Sequence, residues 1–218
     1  MSYSLAIDRM MNEARDNLPG ALDAAIQRAL FTTVDEFMRK TKIWKGLVPF
    51  TTTVNVQDYD LAADEGKIDA LIGVWNVDNL QVASTDDNWW VTATLSGSPV
   101  SAIMPVPGTL LLKNPPSQID DLQAVVSLTV DEPTTKDGFP FVPDWICDKH
   151  AATDWLDGVL GRMMAQPAKP YTNQQLAVYH LRRWRNAMAA ATAMALHANL
   201  RGGQSWAFPQ NFAVRHRR

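Results

Sequence analysis

Apolar residues recur with a helical period at both ends of this chain and alternate with polar ones in its middle. Over residues 3–16, Leu5, Met10, Met11 and Ala14 share one helical face. Asn17-Leu18-Pro19-Gly20 then breaks the chain. A second helix is predicted over residues 21–40, where Leu22, Ala25, Ile26, Ala29, Leu30, Val34, Phe37 and Met38 keep the helical period. The period changes at residues 48–61, whose β-branched, alternating pattern predicts a strand. Asp64-Glu65-Gly66 predicts a turn, and residues 68–77 a further strand around Gly73. Asp78-Asn79 turns the chain again, and residues 80–83, 89–95, 109–112 and 122–130 read as more strands. Residues 96–108, with Pro99, Pro105, Pro107 and Gly108, read as loop, as do residues 131–138.

Helices resume at Pro143, a residue suited to a first helical turn. Trp145, Ile146, His150 or Ala151, Trp155, Val159 and Met163 form an amphipathic run that ends before Pro167. Thr172 or Asn173 is placed to cap a last helix reaching about Asn199. Its predicted face is Leu176, Tyr179, His180 or Arg183, Trp184, Ala187, Ala190, Ala191, Met194 and Ala195, and its many alanines favour close packing. Gly202-Gly203 stops it. The predicted class is α+β. Residues 1–47 and 141–200 form a helical bundle, residues 48–140 a mostly antiparallel β domain inserted into it, and residues 201–218 an extended arm.

Composition adds little until it is divided by region. The whole chain of 218 residues carries a net charge of −3, 46% apolar residues and eight tryptophans. Residues 51–140 hold three basic against thirteen acidic residues, while residues 141–218 hold ten against four. Opposed patches of this kind steer association with other chains or with copies of the same chain. The acidic middle argues against nucleic-acid binding there. A single cysteine, Cys147, excludes an intrachain disulfide and reads as a buried small thiol. Residues 1–18 have no unbroken apolar run and no window approaches a membrane span, so the chain is expected to be made in the cytoplasm.

Candidate chemistry is sparse. His180 and His197 have no third ligand at metal spacing, and His150 and His216 stand apart. Asp144 with Asp148, and Asp154 with Asp157, are helically spaced but read as solvent face or interface. Ser96-Gly97-Ser98 is no nucleophile elbow, Arg201-Gly202-Gly203-Gln204 lacks the Lys-Ser/Thr of a phosphate loop, and Asp86-Asp87-Asn88 reads as a turn. No catalytic residue, metal or cofactor is assigned, and no enzyme activity is expected. On a strand, Trp89 and Trp90 point to opposite sides, so one ring must pack on another layer or a partner. Trp44 is expected to close the junction between the helical and β parts.

Two surfaces remain. Arg182, Arg183 and Arg185 flank Trp184, a cluster open to three readings: phosphate binding, a solvent face, or intersubunit ion pairs with a neighbour's acidic residues such as Asp86 and Asp87. The segment from Arg201 onward sets Trp206, Phe208 and Phe212 among Gly, Gln and Asn, then ends in Arg215, His216, Arg217 and Arg218. It reads as an arm that anchors in a partner's groove, or as a tail folded back on its own domain.

The helix–Phe–Trp–threonine–Tyr-x-Leu pattern, carried by Leu30, Val34, Phe37, Trp44, Thr51 to Thr53, Tyr59 and Leu61, resembles head–tail adaptor proteins of tailed bacteriophages. These are the connector, head-completion or tail tubular A-like proteins. Pro143, Trp145, Ile146 and Ala151, then Pro170-Tyr171 and the long helix with Ala187 and Ala190, extend the resemblance over most of residues 4–200. It implies a helical bundle with an inserted β domain and a self-assembled ring, typically dodecameric, beneath the portal protein. Such a ring continues the channel for packaged DNA, without sequence-specific contact, and offers a platform to a tail or nozzle protein. The arm, with Arg201, Trp206, Phe208, Phe212, Arg215, Arg217 and Arg218, would engage the portal. The implied location is the neck of the virion, with no membrane partner. A neck or tail-completion protein below another adaptor, and a nucleic-acid-binding module, are the alternative readings.

Overall fold

The structure, a computed structural model, describes residues 5–76, 81–85, 101–131 and 141–196. Helices α1 (Leu5–Asn17) and α2 (Asp23–Thr41) lead into strands β1 (Lys45–Thr51), β2 (Asp58–Asp60), β3 (Lys67–Asn76), β4 (Gln81–Thr85), β5 (Ser101–Val106), β6 (Thr109–Leu112) and β7 (Asp121–Thr129). Helix α3 (Asp144–His150), one π turn (Ala151–Trp155), α4 (Leu156–Met164) and α5 (Gln174–Leu196) follow. The fold is α+β, with the first and last helices flanking a mostly antiparallel sheet.

The helical core is built from residues of both ends of the chain. Ile7, Met10, Met11 and Ala14 of α1 and Ile26, Leu30, Val34, Phe37 and Met38 of α2 are buried with Ile146, Trp155, Val159 and Met163. The α1 and α2 faces thus follow their periods, but Leu5 of the first and Leu22 of the second do not join the core. Both flank a helix start and are 65% and 75% exposed. Trp145 is likewise exposed, whereas His150 and Ala151 are both buried. The wide π turn explains the pair, because it inserts an extra residue into the helical register between Ile146 and Trp155.

Asn173 precedes helix α5, and its Oδ1 accepts the Leu176 N–H at 3.1 Å and caps the first turn. Its buried residues are Ala177, Trp184, Ala191 and Ala195. Trp184, Ala191 and Ala195 lie on the expected face and Ala177 joins them, whereas Leu176, Tyr179 and Ala190 point outward. Alanine-rich helices read ambiguously, because alanine fits either side. Close approach to α4 is set by Gly158 and Gly161. A Cβ at Gly158 would lie 2.4 Å from Thr33 Cγ2, and one at Gly161 would lie 2.8 Å from Leu181 Cγ.

The strand order is β1-β7-β3-β4-β5-β6-β2, antiparallel except for β4 with β5. The expected single strand over residues 48–61 is in fact β1 and β2, at opposite edges of the sheet. Asn55, in the left-handed conformation at φ 62°, turns the link between them, and Tyr59 braces it. The Tyr59 hydroxyl donates to Val56 O at 2.8 Å and accepts from the Thr53 N–H at 3.1 Å. Phe50 of β1 and Tyr59 of β2 meet with ring centres 5.3 Å apart, so the sheet curls until its two edges approach there. β5 also corrects the expectation of loop through residues 96–108: its Ala102 is fully buried and pairs with Leu112. The expected strand over residues 89–95, with Trp89 and Trp90, lies outside the described residues.

Trp44 closes the junction of the two parts. It is 5% exposed and packs against Gly66, whose Cβ position its ring would block at 2.5 Å. A polar bridge adds to it: Thr129 Oγ1 of β7 donates to Asp35 Oδ1 of α2 at 2.7 Å, and Arg39 contacts both Asp35 at 3.0 Å and Asp69 of β3 at 3.6 Å. The first part of β7 alternates in burial, while its last four residues are buried on both faces. That is where α2 covers the sheet.

Candidate functional site

The arginine cluster on α5 divides between surface and core. Arg182, Arg183 and Arg185 are exposed, but Trp184 is only 2% exposed. Its ring stacks on Phe37 at 5.5 Å and rests on Gly158, so it is withdrawn from any intersubunit contact. The helical period causes this. One residue in a run of four faces inward, and the apolar one goes there.

Arg183 is held in place from two sides. Its guanidinium donates to the Tyr179 hydroxyl at 3.4 Å and pairs through Nε with Asp157 Oδ2 at 3.0 Å. It also lies 5.6 Å from the Tyr179 ring centre, a cation–π distance. The tyrosine hydroxyl first, and then the Asp157 carboxylate, raise its already high pKa. Asp157 accepts His180 Nδ1 at 2.7 Å with its other oxygen. The reading of Asp157 as solvent face is thus corrected: it is 5% exposed and satisfied by two partners from α5. Asp154 is bound separately, by His150 Nδ1 at 2.7 Å. Asp144 and Asp148 face solvent. The contacts of Asp157 join residues more than twenty positions apart, so no local spacing pointed to them, whereas His150 and Asp154 are four positions apart.

Around the arginines, α5 exposes Leu176, Val178 and Tyr179 at 44%, 68% and 53%. The longest helix therefore carries a mixed apolar and cationic outer face. On the sheet side, Asp58, Asp60, Asp64 and Glu65 are exposed. The segregation of charge along the sequence is therefore also a segregation between surfaces.

At one end of the curled sheet the seam between its edges stays open. A groove of about 260 Å³ runs there between Trp44 to Val48 and Ala63 to Glu65, floored by Leu128. The alternation of the ladder fixes what β1 presents to it. Trp44 O accepts from Leu128 N at 2.9 Å and Thr52 N donates to Asp120 O at 2.8 Å, so the even-numbered residues bond to β7. Main-chain groups of Lys45, Leu47 and Thr51 point away from it, as does Pro49, which therefore lacks no ladder bond.

Among the described residues no group of three or more His, Cys, Asp or Glu side chains converges as a metal site. No described helix is long and apolar enough to cross a membrane. Asp86 and Asp87 of the intersubunit expectation, and Arg201, Trp206, Phe208, Phe212, Arg215, Arg217 and Arg218 of the arm, lie outside the described residues. No protein-family model matches the chain, and no curated protein matches it.

Proposed function

We propose that the chain is a structural subunit of a tailed-phage virion, an adaptor whose copies form a ring beneath the portal, extend the DNA channel and receive the tail. The observation that carries the reading is architectural: helices from both ends of the sequence share one core, and a mostly antiparallel sheet is inserted between them. That is the arrangement implied by the resemblance over residues 4–200. The exposed arginines of α5 and the exposed carboxylates of the sheet supply the two unlike surfaces that a ring with head-to-tail contacts needs. Arg182, Arg183 and Arg185 would meet the acidic residues of the next copy. The segment with Trp206, Phe208 and Phe212 would anchor in the portal, and Arg215, Arg217 and Arg218 would add charge-assisted contacts. Function on this reading is binding, with no turnover.

Reversing the charge of Arg182 and Arg185 tests the ring. Both are exposed and neither makes a core contact, so the subunit should fold as before. Ring assembly on the portal, followed by sedimentation, should be lost. Complete rings from the reversed variant would reject these residues as the contact.

A further inference from the structure

The groove beside β1 and the outer face of α5 are complementary in shape of chemistry and in charge. Resting on the head-to-tail reading above, we propose that the groove of one copy receives the stripe of Val178, Arg182 and Arg185 from α5 of a second copy.

The stripe follows from the helical period. Val178, Arg182 and Arg185 stand at i, i+4 and i+7, so they share one face of α5. All three are exposed, Val178 at 68%. Arg183 points elsewhere and is already engaged by Asp157 and Tyr179. Among the described residues, Arg182 and Arg185 have no ion-pair partner, and neither have Asp64 and Glu65. Folding of one subunit thus leaves both a cationic stripe and an acidic rim unneutralised.

The groove suits that combination of side chains. Leu47, Val48 and Leu128 give it an apolar floor and side, and Asp64 and Glu65 form the opposite rim. Lys45 also lines it, but its ammonium donates to Ala195 O at 2.8 Å. The main-chain carbonyls of Lys45 and Leu47 point away from β7 and add acceptors. A guanidinium carries only donors, so it can use these carbonyls and the rim together. A groove of about 260 Å³ holds side chains and not a whole helix. The neighbour's α5 therefore lies across it, with Val178 on Leu47 and Leu128 and the arginines at the acidic rim.

One copy cannot make this contact with itself. The bond from Lys45 sets the groove beside Ala195 of α5. Val178 is about 25 Å away along the same helix, at about 1.5 Å per residue. The contact is therefore between copies and joins unlike surfaces. Each copy added covers one groove and one stripe and leaves one of each open, as a ring or filament requires.

The test uses three variants of the full chain: Asp64→Lys with Glu65→Lys, Arg182→Glu with Arg185→Glu, and all four together. Each is mixed with the portal ring over a range of concentrations, and assembly is read by sedimentation. Unchanged denaturant midpoints show that the variants fold. Either pair alone should raise the concentration for half-assembly at least about tenfold, because like charges then face each other. All four together should restore it. Assembly of the Asp64 and Glu65 variant at the unsubstituted concentration would overturn the groove as the site. If the arginine pair still failed, the head-to-tail ring would stand with another acidic surface. A fourfold variant that does not recover would overturn the pairing. An unsubstituted chain that adds no ring would overturn this inference and the adaptor reading together.

Discussion

The helical body and the sheet solve the same problem differently. In the body, each end of the chain supplies helices and the core closes completely around Phe37, Trp155 and Trp184. Even its charged residues are paired inside, as Asp157 is with His180 and Arg183. In the sheet, closure stops at Phe50 and Tyr59, and beyond that contact the edges part around a groove. The body is a finished structure whose surplus lies on the outer face of α5. The sheet is unfinished at one end. Surfaces left over by folding are where other chains, or another part of this one, have something to gain by binding.

Substitutions that break the comparison should scale with how closed each region is. Phe37→Ala removes the ring on which His150, Trp155 and Trp184 all pack. It should cost about 3–5 kcal/mol in denaturant unfolding. A cost below about 1 kcal/mol would mean the body is looser than its packing implies. Gly158→Ala drives a methyl group into Thr33 and Trp184 and should cost about 1–3 kcal/mol. Acid should weaken the body at Glu36. Burial pushes its carboxyl up, but hydrogen bonds from Lys40 and Arg162, with their charges, outweigh this and hold it below the ordinary value of 4.5. A carboxyl lowered on folding stabilises the fold above its unfolded pKa and loses that contribution as pH falls through the folded one. The loss below about pH 4.5 should be under about 1 kcal/mol, because all three groups are partly exposed, and Glu36→Gln should remove it. A titration of unfolding free energy unchanged by that substitution would contradict the assignment. At the sheet's open end, Leu47→Lys should change unfolding free energy by less than about 0.5 kcal/mol, since the side chain is 66% exposed.

The two regions also differed in how far the sequence revealed them. Helices α1 and α2 followed from the spacing of their buried residues, and position alone narrowed the cap of α5 to Thr172 or Asn173, of which Asn173 makes the bond. Helical contacts within an element are local. The sheet's strands were mostly legible, but not their partners. β1 pairs with β7, about eighty residues away, and the break between β1 and β2 depends on Asn55 and Tyr59, not on any change in hydrophobic pattern. The α5 arginines were visible as a cluster, yet Trp184 among them belongs to the core. The helical period that sets Trp184 on one face with Ala191 and Ala195 is what separates it from its arginine neighbours. The coupling of Asp157 to His180 and Arg183 crosses between α4 and α5, and only folding brings it about.

The central claim is that the chain assembles on a portal. The most direct measurement is electron microscopy of the purified protein mixed with its portal ring, with a chain ending at residue 200 alongside. The account predicts an added ring of density beneath the portal, lost when residues 201–218 are removed. A folded protein that adds no density would contradict it, and a ring that survives the truncation would keep the adaptor while removing the arm's part in docking.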